Sequence, residues 1–204
     1  MQCWKCGAQF CWNCYKDWHG YDKMCNKFDV DQHAAGQSDA DLGRASLKRY
    51  LHYYTRYTND MNAVKLTAQA YVKVEENMIK LQTETSLSYI QVQFLRTAVE
   101  LLLKCRRTLA YTYVCAYYMR RQTPIQENQA QLFEDRQTDL ASAVEKLTDL
   151  VEHAGGDDWD GRKLETKKIE VLDLTSYCKS RMDVLLTDFV EALAENRYEF
   201  TELT

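Results

Sequence analysis

The sequence predicts a mainly α-helical fold, an antiparallel helical bundle that is preceded by a small cysteine-rich module. The 204 residues include one proline and seven glycines, which are too few for a loop-rich or β-rich domain. From residue 42 onward, apolar side chains recur at steps of three and four residues, the spacing of one helix face. Five of the eight cysteines lie within the first 25 residues, so that segment forms a separate module.

The cysteine-rich module has the spacing of a structural zinc site. Cys11 and Cys14 form a CxxC pair, and His19 and Cys25 follow at short intervals. Two residues between the cysteines let a tight turn direct both thiolates at one tetrahedral ion. The four side chains complete a Cys3His ligand set with no open position for water. We therefore predict zinc in a structural rather than a catalytic role.

Cys3 and Cys6 form a second CxxC pair, which is half of another zinc site. Whether they hold metal within this chain stays open, and disulfides are the alternative for the whole cluster. No apolar leader precedes the cluster, so we expect a reducing compartment, cytoplasmic and/or nuclear, where clustered cysteines hold metal. The later cysteines lie on predicted helices and are expected to be buried for packing: Cys105, Cys115 and Cys178.

The chain divides into a zinc module over residues 1–28, a polar linker over 29–41 and a helical domain over 42–204. The first helical stretch runs from Leu42 to about Gln82, where Asn59 and Asp60 allow a bend. The most apolar stretch, 87–121, is expected to lie at the centre of the domain. Pro124 separates it from the next helix. The three later helices are predicted over 87–121, 127–152 and 162–198.

Composition and charge argue against several function classes, although the mildly basic metal module leaves a nucleic-acid-binding zinc ribbon as an alternative. A net charge of −4 and a pI near 5.6 give no electrostatic reason to bind nucleic acid. No apolar run approaches the roughly 20 residues of a membrane span. We find no Gly-rich phosphate loop, paired carboxylates or Ser–His–Asp pattern, so no catalytic residue is predicted. His33, His52 and His153 are isolated, and surface or packing roles are expected for them.

Residues 1–6, 10–14 and 18–20 resemble the end of the RING2 domain of RING-between-RING E3 ubiquitin ligases. The following helices resemble the Ariadne domain of that family, through residues 47–51, 105–113 and 116–119. The resemblance covers essentially the whole chain, and within the family it is greatest to the second Ariadne homologue. It implies that Cys3 and Cys6 match half of the first RING2 zinc site. Cys11, Cys14, His19 and Cys25 match the second site, with shorter spacings around His19 than the family usually has.

The resemblance also implies a two-step chemistry. In the family, RING1 docks a ubiquitin-loaded E2, and ubiquitin passes to a RING2 cysteine as a thioester and then to a substrate lysine. That cysteine sits in a Gly-Cys-Asn-His-Met-x-Cys run, of which Met1 matches the Met. The catalytic cysteine is therefore expected upstream of this chain, which would itself be zinc-binding and regulatory.

In the family, the Ariadne domain covers RING2 until a neddylated cullin–RING ligase releases it. The inhibitory surface includes two glutamates, of which Glu152 matches the second. Thr67, beside Leu66, stands at the first position, so we expect weaker autoinhibition. The alternative function is a non-catalytic, zinc-anchored helical adaptor that binds neddylated cullin–RING ligases.

Overall fold

The computed structural model describes residues 5–11, 16–20, 25, 28, 39–84, 88, 92–154 and 163–201. Four helices lie within these ranges, and the only strand-like pairings there are two isolated bridges. This confirms the mainly α-helical fold. The helices are α1 (Asp39–Glu84), α2 (Phe94–Tyr118), α3 (Pro124–Glu152) and α4 (Leu164–Ala194).

α2 is the central helix, as its apolar sequence predicted. It contacts each of the other three helices, and its side chains are buried on most faces. Ion pairs show that α1 runs antiparallel to α2, because Arg96 near the start of α2 pairs with Glu75 and Arg106 further along pairs with Asp60. The other buried residues of α2 include Leu95, Ala98, Val99, Leu102, Leu109, Tyr113 and Ala116.

The first helix is longer than the sequence pattern predicted. α1 begins at Asp39, three residues before Leu42, and stays helical through Asn59 and Asp60. Both of these polar residues are buried, and Asp60 faces Arg106 of α2. The pairing with Arg106 therefore supplies the reason for Asp60, a weak helix former, in the middle of α1.

The ends of α2, α3 and α4 differ from the predicted ends for local reasons. α2 stops at Tyr118 rather than at residue 121, because Met119 is extended and pairs with Phe200 near the C-terminus. α3 begins at Pro124, with a capping box between Thr123 and Gln126. α4 ends at Ala194 rather than at residue 198, since Asn196 takes a left-handed conformation that terminates the helix. The predicted start of α2, residues 87–91, lies largely outside the described residues.

Two of the helical cysteines are fully buried in the bundle. Cys105 of α2 and Cys178 of α4 have no exposed surface, and Cys115 is half-buried. Burial raises the pKa of Cys105 and of Cys178 to about 12. Their thiols are therefore protonated at neutral pH, which fits the packing role expected for them.

None of the described helices has a stretch that is both long and apolar enough to cross a bilayer.

Candidate metal centre and regulatory surface

Three of the four predicted zinc ligands converge at one point. One ligand atom each from Cys11, His19 and Cys25 lies within 4.8 Å of the other two. Cys14, the fourth predicted ligand, lies outside the described residues, as does Cys3. Cys6 is exposed and does not belong to this group of three.

A short hairpin positions the first two of these ligands. Phe10 and Asp17 form an antiparallel bridge, and the amide of Cys11 donates to the carbonyl of Lys16 over 2.8 Å. The chain thus reverses between Cys11 and His19. Gly20 follows His19 with φ of +83°, a conformation that a residue with a side chain rarely adopts.

The geometry of the three ligands fits a zinc ion. The sulfurs of Cys11 and Cys25 are 3.7 Å apart. A Zn–S bond of about 2.3 Å in tetrahedral geometry gives a sulfur–sulfur edge of about 3.8 Å, whereas a disulfide requires about 2.05 Å. His19 Nδ1 lies 3.2 Å from the Gly20 carbonyl oxygen. A proton on Nδ1 would be donated there and would leave Nε2 as the ligand atom, a frequent arrangement for metal-binding histidines.

Arg56 of α1 fastens this centre to the helical domain. Its guanidinium donates one hydrogen bond to the backbone carbonyl of Cys25 and another, over 2.8 Å, to the carbonyl of His52. Arg56 is only 5% exposed. Phe28 packs edge-on to His52, with ring centroids 5.3 Å apart. The metal module and α1 therefore share a buried contact.

Sequence reasoning missed Arg56 and Phe28. Each contacts residues that are distant from it in the chain, and neither is part of a motif with regular residue spacing. A single arginine on a helix is normally solvated. Its burial could be inferred only after the module had been placed against α1.

A buried polar network lies further along the same faces of α1, α2 and α3. Arg106, 4% exposed, lies 3.4 Å from a carboxylate oxygen of Asp60. Its guanidinium also lies 3.3 Å from Glu145 and donates to the hydroxyl of Thr148 over 2.9 Å. Burial raises the pKa of Asp60 to about 7, although the Arg106 guanidinium acts against this rise. Desolvation thus outweighs the ion pair at this site.

A second buried network joins α1 to the segment before α3. Glu134 accepts a hydrogen bond from the Tyr53 hydroxyl over 2.6 Å and pairs with Arg121. Arg121 also pairs with Glu127 over 3.2 Å. Burial raises the pKa of Glu134, against the opposing effect of Arg121. This network fixes the connection between α2 and α3 onto α1.

The three predicted regulatory residues lie on accessible surface. Leu66 is 53% exposed, Thr67 is half-buried, and Glu152 is exposed at the last position of α3. The surface that these residues would form is accessible to a partner.

The helix register places Thr67 and Glu152 at the same end of the bundle. Asp60 of α1 and Thr148 of α3 both contact Arg106. Since α1 is antiparallel to α2, Thr67 lies about two turns from Arg106, toward the start of α2. α2 and α3 are also antiparallel, because Arg106 contacts Thr148 and the later Thr112 contacts the earlier Gln137. Glu152, one turn after Thr148, therefore also lies toward the start of α2. The two residues therefore flank the first half of α2.

Comparisons with known proteins agree with this architecture. The family model described as "Ariadne domain" matches residues 48–200. The chain is 41% identical over 203 residues to the E3 ubiquitin-protein ligase dbl4 of Schizosaccharomyces pombe, covering 98% of this chain and 38% of dbl4. It is 38% identical to the E3 ubiquitin-protein ligase ariadne-1 of Drosophila melanogaster, covering 97% of this chain and 38% of that protein.

The chain is also similar to a human protein. The chain is 36% identical over 200 residues to the E3 ubiquitin-protein ligase ARIH1 of Homo sapiens, covering 97% of this chain and 34% of ARIH1. The chain thus spans a little over a third of the length of these relatives. The assignment to the second Ariadne homologue stays a prediction. The family-model match covers most of the helical domain, and the chain therefore belongs to the Ariadne-type RING-between-RING family of E3 ubiquitin ligases.

Proposed function

We propose that this chain supplies a zinc-stabilised end of RING2 and a regulatory helical domain to a RING-between-RING E3 ubiquitin ligase. The observation that carries the proposal is the convergence of Cys11, His19 and Cys25 beside an Ariadne-type bundle. The relatives are named as E3 ubiquitin-protein ligases. The intact protein would accept ubiquitin from a loaded E2 as a cysteine thioester and pass it to a substrate lysine.

In this proposal Cys11, Cys14, His19 and Cys25 hold a structural Zn²⁺. The bound ion would cross-link the hairpin to the segment at Cys25 and offer no open coordination position. Cys3 and Cys6 would provide half of a second zinc site. The 3.7 Å between the Cys11 and Cys25 sulfurs supports the first assignment.

No residue of this sequence is proposed as the ubiquitin-accepting nucleophile. A nucleophilic cysteine needs thiolate character and access to the E2 thioester. Cys105 and Cys178 are buried and protonated, and burial raises the pKa of Cys115. The Gly-Cys-Asn-His segment that carries the nucleophile in the family would be supplied by the remainder of the ligase.

Leu66, Thr67 and Glu152 are proposed as part of the surface through which the helical domain restrains RING2. Release by a neddylated cullin–RING ligase would expose the catalytic segment. Thr67 supplies no negative charge where the family has a glutamate, so the restraint is proposed to be weaker here. The shared end of the bundle at which Thr67 and Glu152 lie supports a common surface.

A thioester assay under non-reducing conditions tests this function. The E2-to-ligase transfer of ubiquitin would be compared between this chain and the full-length ligase that contains it. We expect a reducible ubiquitin adduct on the full-length ligase and none on this chain. An adduct on this chain would contradict the proposal and would identify Cys3 or Cys6 as the nucleophile rather than as a zinc ligand. In that case Cys6→Ser would remove the adduct if Cys6 is the nucleophile and would retain it if Cys3 is.

A further inference from the structure

A cavity of about 410 Å³ lies between α2 and α4, away from the metal centre. Its volume is within the range of small-molecule sites. One face of α2 forms its long wall, with residues at helical spacing over three turns: Lys104, Arg107, Thr108, Tyr111, Thr112 and Cys115. The eleven helical steps from Lys104 to Cys115 measure about 16 Å, so the cavity is an elongated groove.

The groove is positively charged at one end. Lys104 and Arg107 are exposed, and neither forms an ion pair in the described part of the chain. They stand one turn apart at the same end of the α2 wall. A single carboxylate or phosphate group placed there would receive charge-assisted hydrogen bonds from both.

The rest of the groove is mainly apolar, although Thr108 and Tyr111 also line it. Leu185, Leu186 and Phe189 of α4 form the opposite wall. The Thr112 hydroxyl is already engaged, because it donates to the Leu109 carbonyl over 2.7 Å and accepts from the Gln137 amide over 2.9 Å. Cys115, at the far end, presents a neutral thiol, since burial raises its pKa.

We propose that this groove binds a small anionic amphiphile, an alkyl chain of roughly twelve carbons ending in a carboxylate or phosphate monoester, sized by the groove length of about 16 Å. The head group pairs with Lys104 and Arg107, and the alkyl chain lies between the wall of α2 and Leu186 of α4. An extended peptide fits less well, because its regularly spaced backbone groups need hydrogen-bond partners on both sides and the wall of α4 consists of apolar side chains.

Sodium dodecanoate, kept below its micellar concentration, is the probe. Isothermal titration of the zinc-loaded chain should show one molecule bound per chain. The double variant Lys104→Glu/Arg107→Glu should weaken binding by about tenfold or more. The matched control Lys48→Glu/Lys65→Glu makes the same charge change on exposed positions of α1 and should leave binding unchanged. Dodecyltrimethylammonium, with the opposite charge, should not bind.

Chemical labelling of Cys115 tests whether the ligand binds in this groove. Alkylation of Cys115 by iodoacetamide at alkaline pH, where this thiol ionises in part, is followed by peptide mass mapping and should slow in the presence of dodecanoate. Leu186→Glu, at a position 41% exposed, adds a carboxylate to the apolar wall and should abolish that protection without changing the helical circular dichroism.

Four results would overturn the proposal: no binding at millimolar dodecanoate, equal binding of the cationic amphiphile, an equal loss in the Lys48→Glu/Lys65→Glu control, or protection of Cys115 that persists in Leu186→Glu. Binding only to phosphatidylserine vesicles would indicate a membrane surface instead. Dimerisation of the chain that Lys104→Glu/Arg107→Glu abolishes would indicate an interface between two copies. Either result would also reject the small amphiphile as occupant.

Discussion

The buried carboxyl of Asp60 allows a sharp test of the energetics in the bundle. Two effects compete there, since burial raises its pKa and Arg106, at 3.4 Å, lowers it. The structure indicates that burial prevails and that the folded-state pKa is about 7, against an ordinary value of 3.8. Asp60 is therefore neutral in the folded protein at pH 5 and mainly ionised at pH 8.

The sign of the pH dependence follows from this raised pKa. Between pH 4 and 7 the folded state binds a proton at Asp60 that the unfolded state has lost. The stability that Asp60 contributes is fully present below its unfolded pKa and is lost as the pH rises through 7. Each pH unit in this window is worth about 1.4 kcal/mol, so the loss from pH 5 to 8 is about 2 to 3 kcal/mol.

Asp60→Asn isolates this contribution, because asparagine cannot ionise and resembles the neutral carboxyl in shape. The free energy of unfolding would be measured by urea denaturation, monitored by circular dichroism, at each unit from pH 5 to pH 8. We expect the free energy of unfolding of the Asn variant, relative to that of the parent protein, to rise by about 2 to 3 kcal/mol from pH 5 to pH 8, with the two proteins closest below the unfolded pKa of Asp60. Any metal loss at acidic pH is common to both proteins and cancels in the difference.

The exposed Asp173 of α4 supplies the control, and Asp173→Asn should show no such pH-dependent difference. A stability difference between the parent and Asp60→Asn that stays constant from pH 5 to 8 would refute the reasoning. If the Arg106 ion pair rather than burial controlled Asp60, its folded-state pKa would lie below 3.8, and the difference would change only below about pH 4, outside the measured window.

Three further predictions concern the candidate metal centre and the proposed regulatory surface. Cys11→Ser should release about one zinc per chain, measured by a chromophoric chelator, and leave the helical circular dichroism unchanged, whereas Cys115→Ser should release none. Arg56→Ala removes the hydrogen bond to the Cys25 carbonyl and should weaken the docking of the metal module onto α1 by about 1 to 3 kcal/mol. Hydrogen exchange should then become faster at the amides around Cys25, while the amides of α2 stay protected. Unchanged exchange around Cys25 would contradict this role of Arg56. Under the proposed function, Thr67→Glu introduces the negative charge expected at this position and should slow thioester formation in a ligase that contains this chain, with relief by a neddylated cullin–RING ligase. An unchanged rate would remove Thr67 from the proposed inhibitory surface.

The helical fold was accessible from sequence because local patterns and tertiary contacts agree over most of the chain. The apolar spacing of α2 matches its burial on most sides. The sequence was less informative where contacts between distant segments decide where a helix ends. Residues 119–121 look like a helix end, yet Met119 leaves the helix to pair with Phe200, and the Arg120 amide donates to Glu199. Nothing near residue 119 signals that pairing.

The candidate metal centre was predictable for a different reason. A tetrahedral ion imposes short, regular spacings on its ligands, so Cys11, His19 and Cys25 could be chosen without knowledge of the fold. The buried arginines follow no such rule. Arg56 and Arg106 occupy ordinary helical positions, and only the packing of α1 against its neighbours decides which charges become buried. Sequence therefore predicts a convergence of side chains that follow a short-spacing motif more readily than ion pairs between helices.

The hydrogen bond from Arg56 to the Cys25 carbonyl couples the stability of the metal module to that of the helical bundle. Arg56 donates to the Cys25 carbonyl, and Tyr113 of α2 lies close enough to Cys25, Arg56 and Asp60 for their charges to influence its pKa, which burial raises. The apolar faces of the helices do not involve the metal, so loss of zinc should leave the bundle folded. Loss of zinc should, however, free the Cys25 segment from Arg56 and leave a buried guanidinium short of one acceptor, which costs about 1 to 3 kcal/mol. The metal module is therefore expected to make the bundle modestly more stable without being required for its formation.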